Sequence, residues 1–546
     1  MDNKKINYLR PVLALAMVIL ALYTGIRLGK MSTPAKIYKS WDGDRNNLLQ
    51  TLDIVSKFYV DNVNIDSLTE KFIPDILNEL DPHSTYIPAS ELQRSNESLE
   101  GNFEGIGVTF NMEIDTAVII NVLTGGPSAK AGVSAGDKIM VVNDTVIAGK
   151  KIAQEEIVKL LRGKSGSKVN IKVQREGVDE LIPIEITRGN IPIKSIDASY
   201  MITPSTGYVI MSRFAKTTYS DFVAAVNELH EKGMKNMILD LRGNTGGFLE
   251  QVIAVTGELF PDRRLIVYTE GRAFPRQNQY SDGDGKCGND KIAILINEQS
   301  ASASEILAGA VQDNDRGTII GQRSFGKGLV QQMRELADKS GLRLTIARYY
   351  TPSGRSIQRP YGHGISGVRD YYREFDRRYE NGELVSADSI KQTDTTKYYT
   401  TEGRTVYGGG GITPDIFVPS ERYDSLFTEI SRRNLFFKYS ISFCNRHRID
   451  LNAIDSIEQL EQFFAANSPY DGLYSYLKNA KIDCTLNDIN KSKEFVENVL
   501  KAYAGRTTNL GELAAFFYLN KTDKTVQKAV ETLEADSDSK TPDNNN

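Results

Sequence analysis

Three stretches of the chain carry residue types and spacings that could do chemistry. The first is NEQSASASEILAGAVQD at 297–313, where Ser300, Ser302 and Ser304 crowd the end of the apolar run KIAILIN. A helix bearing Ile306, Leu307, Ala310 and Val311 is predicted to follow. A serine at such a corner meets outward-pointing backbone N–H groups and a dipole that favours a developing anion. The same position also suits an ordinary N-cap. The second stretch is SFGKGLVQQ at 324–332, in which Lys327 sits between two glycines ahead of an apolar run. Apolar surroundings disfavour the ammonium, and a neutral lysine is a general base. Ser–Lys pairs are a known variant of the triad; in a solvated turn Lys327 would be a plain surface cation. The third is LDLRGNTGG at 239–247, where Gly243, Gly246 and Gly247 let backbone amides converge on an anion, or simply turn a strand into a helix.

The elements that must position these groups follow from periodicity. From Gly207 to about 350 apolar runs alternate with amphipathic helices: GYVIMS, a helix with Phe222, Val226 and Leu229 on one face, NMILDL, then RLIVYTE, KIAILIN and RGTIIG. That pattern argues a sheet covered on its faces. Residues 361–405 are polar and Tyr-rich and read as an insertion; GGGGITPDIFVP at 408–419 is a turn and a last strand. Residues 103–190 form a separate module of short strands (GVTF, AVIINV, KIMVV, VNIKV, IEI) with one helix from Ala153 to Leu161. Two amphipathic helices precede it, one over 45–61 and one that Asp66 would cap. From Arg422 to Ala535 apolar residues recur at helical spacing, on faces that suit core packing or a subunit interface. The final DSDSKTPDNNN is disordered by composition.

Composition narrows the chemistry. Lys plus Arg is 66 and Asp plus Glu 70, so the formal charge of −4 leaves no electrostatic footprint for nucleic acid. Three cysteines, Cys287, Cys444 and Cys484, are too few for a disulfide framework and lack zinc-site spacing. Cys444 and Cys484 could pair in an oxidising compartment; Cys287, in a polar Gly-rich loop, looks incidental. Four histidines, none paired as HxxxH, argue against metal catalysis, and no cofactor motif is present. A Ser–His mechanism would have to draw on His363 or His230, neither with an obvious aspartate partner in sequence.

Taken together, RGNTGG, SASASEI, FGKG followed by VQQ, and ARYYTPSGRSIQ at 347–358 occur in this order. DPHSTY at 81–86 lies upstream and GITPDI at 411–416 downstream. On these motifs the chain resembles the C-terminal processing (tail-specific) proteases, serine endopeptidases with a Ser–Lys dyad, over residues 50–419. The resemblance implies Ser302 as nucleophile, Lys327 as base and Gln331 as the residue that orients the lysine amine. It implies oxyanion amides from Ala303 and from Gly246 or Gly247. On a straight strand Lys327 and Gln331 would stand about 13 Å apart, so direct orientation requires a turn or kink between them. The 103–190 module resembles a PDZ domain, whose FEGIGV loop (Gly105, Ile106, Gly107, Val108) would receive a peptide carboxylate. Ile106, Val108, Ile157 and Leu161 would line a pocket for an apolar C-terminal side chain, and Arg162 would couple binding to the protease.

The fold expected is therefore multi-domain α/β. It comprises an N-terminal membrane or signal segment (1–30), a linker (31–44), a helical N-terminal part (45–100), a PDZ domain (101–190), a protease core (191–420), a helical C-terminal region (421–535) and a tail (536–546). Lys4, Lys5 and Arg10 precede the apolar stretch from Pro11 to Ile26. As a helix it would span about 24 Å, short for a bilayer but workable for an anchor; a cleaved signal peptide is the alternative. Either places the bulk of the chain in the bacterial cell envelope, outside the inner membrane. The partners expected are C-terminal tails of exported proteins, the inner membrane, and a second copy of the chain or an adaptor. A non-catalytic peptide- or lipid-binding scaffold on the same fold is the competing function.

Overall fold

The computed structural model describes residues 47–113, 115–421 and 425–535. The segment read as a membrane anchor, the linker at 31–44 and the tail at 536–546 lie outside these residues. Among the described residues no helix is long and apolar enough to cross a membrane. The chain divides between Ile76 and Leu77 into two compact units.

The first unit carries helix Asn47–Phe58 and most of helix Ile65–Asn78, where periodicity places them. The cap of the second helix differs from expectation. Asn64 Oδ1, not Asp66, accepts the Ser67 N–H at 3.0 Å. Asp66 falls in the first turn instead, where its charge still complements the dipole.

The second unit begins with strand Thr85–Ile87 and helix Ala89–Glu100, then enters the strand-rich module. There Val108–Glu113, Thr116–Val122, Lys138–Val142, Lys168–Gln174 and Ile182–Thr187 pair antiparallel in that order. Alternation decides the faces: Val169, Ile171 and Val173 are buried while Lys168, Asn170 and Lys172 are exposed. Helix Gln154–Leu161 closes the core with Ile157 and Leu161. The flanking segments Asn102–Gly105 and Gly189–Pro192 pair with each other, so the module leaves and rejoins the chain at one point.

In the core, strands Thr206–Met211, Asn236–Asp240, Lys291–Ile296, Thr318–Gly321 and Ile416–Phe417 run parallel, with Ile196–Met201 antiparallel at one edge. The first two of these are buried at every position, as a sheet covered on both faces requires. One face packs helices Thr218–Glu231, Leu249–Gly257 and Ala303–Asp313 through Phe222, Val226, Val255, Ile306 and Val311. The other is covered by C-terminal helix Lys524–Glu534, whose Val526, Ala529 and Leu533 meet Tyr208, Ile238, Leu295 and Ile320. The C-terminal helices thus supply a layer of the core. They also reach the strand-rich module: Phe437 and Ile441 pack on Val118, and Asn121 Nδ2 donates to the Arg506 carbonyl at 2.8 Å.

Some expectations need correction. RLIVYTE does not join the parallel sheet. Strand Leu265–Glu270 belongs to a second sheet with Thr85–Ile87, Gln277–Tyr280, Leu329–Glu335 and Gly341–Tyr350. An apolar run cannot by itself say which of two sheets will bury it. The stretch 361–405 holds helix Gly364–Glu380 and the hairpin Lys397–Tyr399 with Thr405–Tyr407. Cys287 is not incidental: it is fully buried in the main core, and its backbone N–H donates to the Glu258 carbonyl at 2.9 Å. Cys444 and Cys484 are both free thiols, buried in separate apolar clusters. Burial pushes the Cys444 thiol up to about 12.

Candidate active site

Ser302 caps helix Ala303–Asp313 directly after the loop that leaves strand Lys291–Ile296. Its backbone takes φ +56° and ψ −111°, a strained conformation for a non-glycine residue. The flanking serines face inward. Ser300 Oγ donates to the Leu241 carbonyl at 2.8 Å and Ser304 Oγ to the Asn244 carbonyl at 2.9 Å. Both therefore stitch the serine corner to the RGNTGG loop, while Ser302 remains half-buried. Ala301 N adds a further bond to the Asn244 carbonyl at 3.0 Å.

The two glycine amides of that loop differ in their partners. Gly246 N is committed to Asn244 Oδ1 at 2.9 Å. Gly247 is exposed, and among the described residues nothing accepts its N–H or that of Ala303. The two glycines are confined for different reasons. A methyl group on Gly246 would lie 2.9 Å from Ser302 Cβ, and one on Gly247 would lie 2.1 Å from the Phe214 carbonyl oxygen.

Lys327 lies in the loop before strand Leu329–Glu335, after Gly326 at φ +90°. Its Nζ donates to Gln331 Oε1 at 2.8 Å. The condition for that contact is met: Lys327 precedes the strand, and the pairing with strand Gly341–Tyr350 shifts register between Val330 and Gln331. A bulge brings together two residues that a straight strand would hold apart. Burial lowers the Lys327 ammonium to about 8; Arg343 adds to the effect, and Glu305 and Asp81 oppose it.

Two further side chains hold Ser302 and Lys327 to a common frame. Glu305, fully buried, accepts Ser302 N at 2.8 Å, Lys327 N at 2.9 Å, Gly326 N at 2.7 Å and Ser324 Oγ at 2.5 Å. Burial raises its carboxyl, and these bonds pull the other way. Tyr349 Oη shares its one proton between the Ser302 carbonyl, at 3.1 Å, and the Lys327 carbonyl. Glu305 was missed in the sequence although Ser302-x-x-Glu305 has capping-box spacing. Tyr349 carries no comparable signal. Among the described residues no hydrogen bond joins the Ser302 side chain to the Lys327 amine.

The two histidines weighed as bases make other contacts. His230 does find an acidic partner, Asp290 at 2.8 Å, at the end of helix Thr218–Glu231. His363 Nδ1 meets the Glu79 carbonyl. The histidine beside Lys327 is His83, whose Nε2 pairs with Tyr371 Oη at 3.0 Å and which burial holds down to about 3. A ring so hard to protonate is a weak base.

In the strand-rich module Gly105 pairs with Gly189, and no described residue accepts the N–H of Ile106 or Gly107. Ile106, Ile157 and Leu161 are buried in the module's own core with Val108 packed on them, because a small module needs those side chains to fill its interior. Arg162 forms an ion pair with Glu97 on helix Ala89–Glu100 and lies 4.6 Å from the Phe103 ring centroid.

Residues 205–367 match the model of peptidase family S41, residues 105–186 that of the PDZ domain, and residues 426–508 a family of unknown function. A carboxy-terminal-processing protease of Bartonella bacilliformis is 40% identical over 308 residues, 55% of this chain and 69% of that protein. The carboxy-terminal processing protease CtpB of Bacillus subtilis is 31% identical over 349 residues, 62% of this chain and 72% of its own length. CtpA of the same organism is 30% identical over 391 residues, 70% of this chain and 82% of its own length.

Proposed function

The chain belongs to the carboxy-terminal-processing proteases of peptidase family S41, and from that premise we propose that Ser302 and Lys327 form its catalytic dyad. It is a serine protease with a PDZ domain. The observation that carries the residue roles is a half-buried lysine amine held by Gln331, with its backbone on the same two clamps as Ser302.

In the proposed cycle the neutral Lys327 amine takes the Ser302 hydroxyl proton as Oγ bonds to the scissile carbonyl carbon. The oxyanion is met by the N–H groups of Ala303 and Gly247. The ammonium then gives its proton to the leaving amine as the C–N bond breaks. Water attacks the acyl-enzyme with Lys327 again as base, releasing the acid and freeing Ser302.

The substrates proposed are exported proteins, gripped by their free C-terminal tails. The carboxylate would meet the amides of Ile106 and Gly107, and the adjoining strand would pair with the tail. Because Ile106, Ile157 and Leu161 are buried, the tail's last side chain must open the module to enter. Arg162 would report that opening through Glu97: Leu99 of the same helix accepts Lys216 N at 3.0 Å, and Glu100 pairs with the Lys216 amine. Loss of tail stimulation in Arg162→Ala is expected; undiminished stimulation would remove Arg162 from the coupling. We place the protein in the cell envelope on the strength of the apolar stretch from Pro11 to Ile26 and its basic flank. Its reduction to a cytoplasmic fraction on cell fractionation would contradict that.

Cleavage of a tail-bearing polypeptide by wild type, Ser302→Ala and Lys327→Ala tests the dyad. Both variants are expected to lose roughly 10⁵–10⁶-fold in kcat. Turnover surviving Lys327→Ala would favour a histidine base, and no turnover by wild type with tail peptide present would favour a scaffold.

A further inference from the structure

The DPHSTY motif is absorbed by no step of that cycle, yet its turn touches the dyad's partner. We propose that Asp81 is a positioning residue for the lysine base, folding the turn 81–84 so that the His83 carbonyl fixes which end of the Gln331 amide faces Lys327. This rests on the roles proposed above for Lys327 and Gln331.

Asp81, His83 and Ser84 are all buried. The Asp81 carboxylate accepts His83 N and Ser84 N at 2.8 Å each, Ser84 Oγ at 2.7 Å and Thr345 Oγ1 at 3.1 Å. Ser84 Oγ accepts Thr345 N at 3.1 Å, and the following strand pairs Thr85 with Arg343. The turn is thereby seated on strand Gly341–Tyr350. On its far side the His83 ring is held by Tyr371, edge to face at 5.1 Å. The His83 carbonyl then accepts Gln331 Nε2.

That last bond sets the sense of the amide. With Nε2 committed to His83, Oε1 is the end presented to Lys327. An oxygen accepts one N–H of the neutral amine and leaves its lone pair for the Ser302 proton. A reversed amide would donate into that lone pair and occupy it. Charged groups facing Lys327 are Glu305 from the Ser302 helix, Arg343 from strand Gly341–Tyr350 and Asp81 itself, and the His83 ring stands beside it.

A double-mutant cycle on the full chain, cleaving a tail-bearing polypeptide, tests the inference. Asp81→Ala and Gln331→Ala should each lower kcat roughly 10- to 100-fold with KM within about twofold. The double variant should be no worse than Gln331→Ala alone, because both remove the same orientation. Losses that multiply, or an Asp81→Ala as active as wild type, would overturn it. Full activity in Gln331→Ala would instead remove the reading beneath it. Should Asp81→Ala fail to fold, Asp81→Asn carries the test. It keeps an oxygen for the turn amides but loses the charge, so plateau kcat should stay within about fivefold while the alkaline rise moves to lower pH. An unmoved midpoint or a collapsed plateau would overturn the inference.

Discussion

At the scale of the residue, the proposed chemistry rests on how few groups hold Ser302 and Lys327. Glu305 accepts hydrogen bonds from the backbones of both Ser302 and Lys327. Glu305→Gln keeps the shape but turns an NH₂ toward donors. We expect a loss of roughly 2–3 kcal/mol in denaturant unfolding together with a fall in kcat; unchanged stability would show that the carboxylate is not the clamp. Ser302 and Lys327 were legible in the sequence only jointly: a serine at a strand-to-helix corner and a lysine between glycines each suit an ordinary cap or turn, and the roles proposed for them came from the resemblance that the combined motifs carry. Tyr349 and the His83 carbonyl were not, since one is the first of two adjacent tyrosines with nothing to say which faces inward and the other is a backbone atom, which sequence does not mark. The proposal of Gly247 over Gly246 rests on the Asn244 side chain, which claims the neighbouring amide.

At the scale of the element, the loop bearing Lys327 is braced from outside by the stretch read as an insertion. Arg378, on helix Gly364–Glu380, donates to the carbonyls of Arg323 and Ser324, and Glu383 pairs with both Arg323 and Arg378. All three side chains are nearly inaccessible, so Glu383→Ala would leave two guanidinium groups buried without their counter-ion. A cost of about 3–5 kcal/mol is expected, seen as a lowered Tm with reduced kcat. A Tm within a degree of wild type would mean that the network is not needed to hold the loop. Polar composition made this segment look peripheral; its buried charges are satisfied only by partners far away in sequence. The helices and strands around it were readable by period, whereas the assignment of RLIVYTE to the second sheet was not.

At the scale of the whole molecule, the C-terminal helices complete the core. Arg242 of the RGNTGG stretch pairs with Asp240 and also with Asp523, the residue that caps helix Lys524–Glu534. That helix covers the second face of the parallel sheet. Ending the chain after Glu421 would expose Tyr208, Ile238, Leu295 and Ile320, a contiguous apolar surface that drives association. The truncated chain is expected in the insoluble fraction; a soluble, active truncation would show the region to be an appendage. The amphipathic pattern foretold burial there but could not say against what.

The most direct measurement of the central proposal, a neutral Lys327 acting on Ser302, is the pH dependence of kcat/KM on a tail-bearing substrate. With the ammonium lowered to about 8, activity should climb through that pH and persist on the alkaline side as the amine loses its proton. A climb centred near ~6.5, the ordinary histidine range, would contradict the dyad.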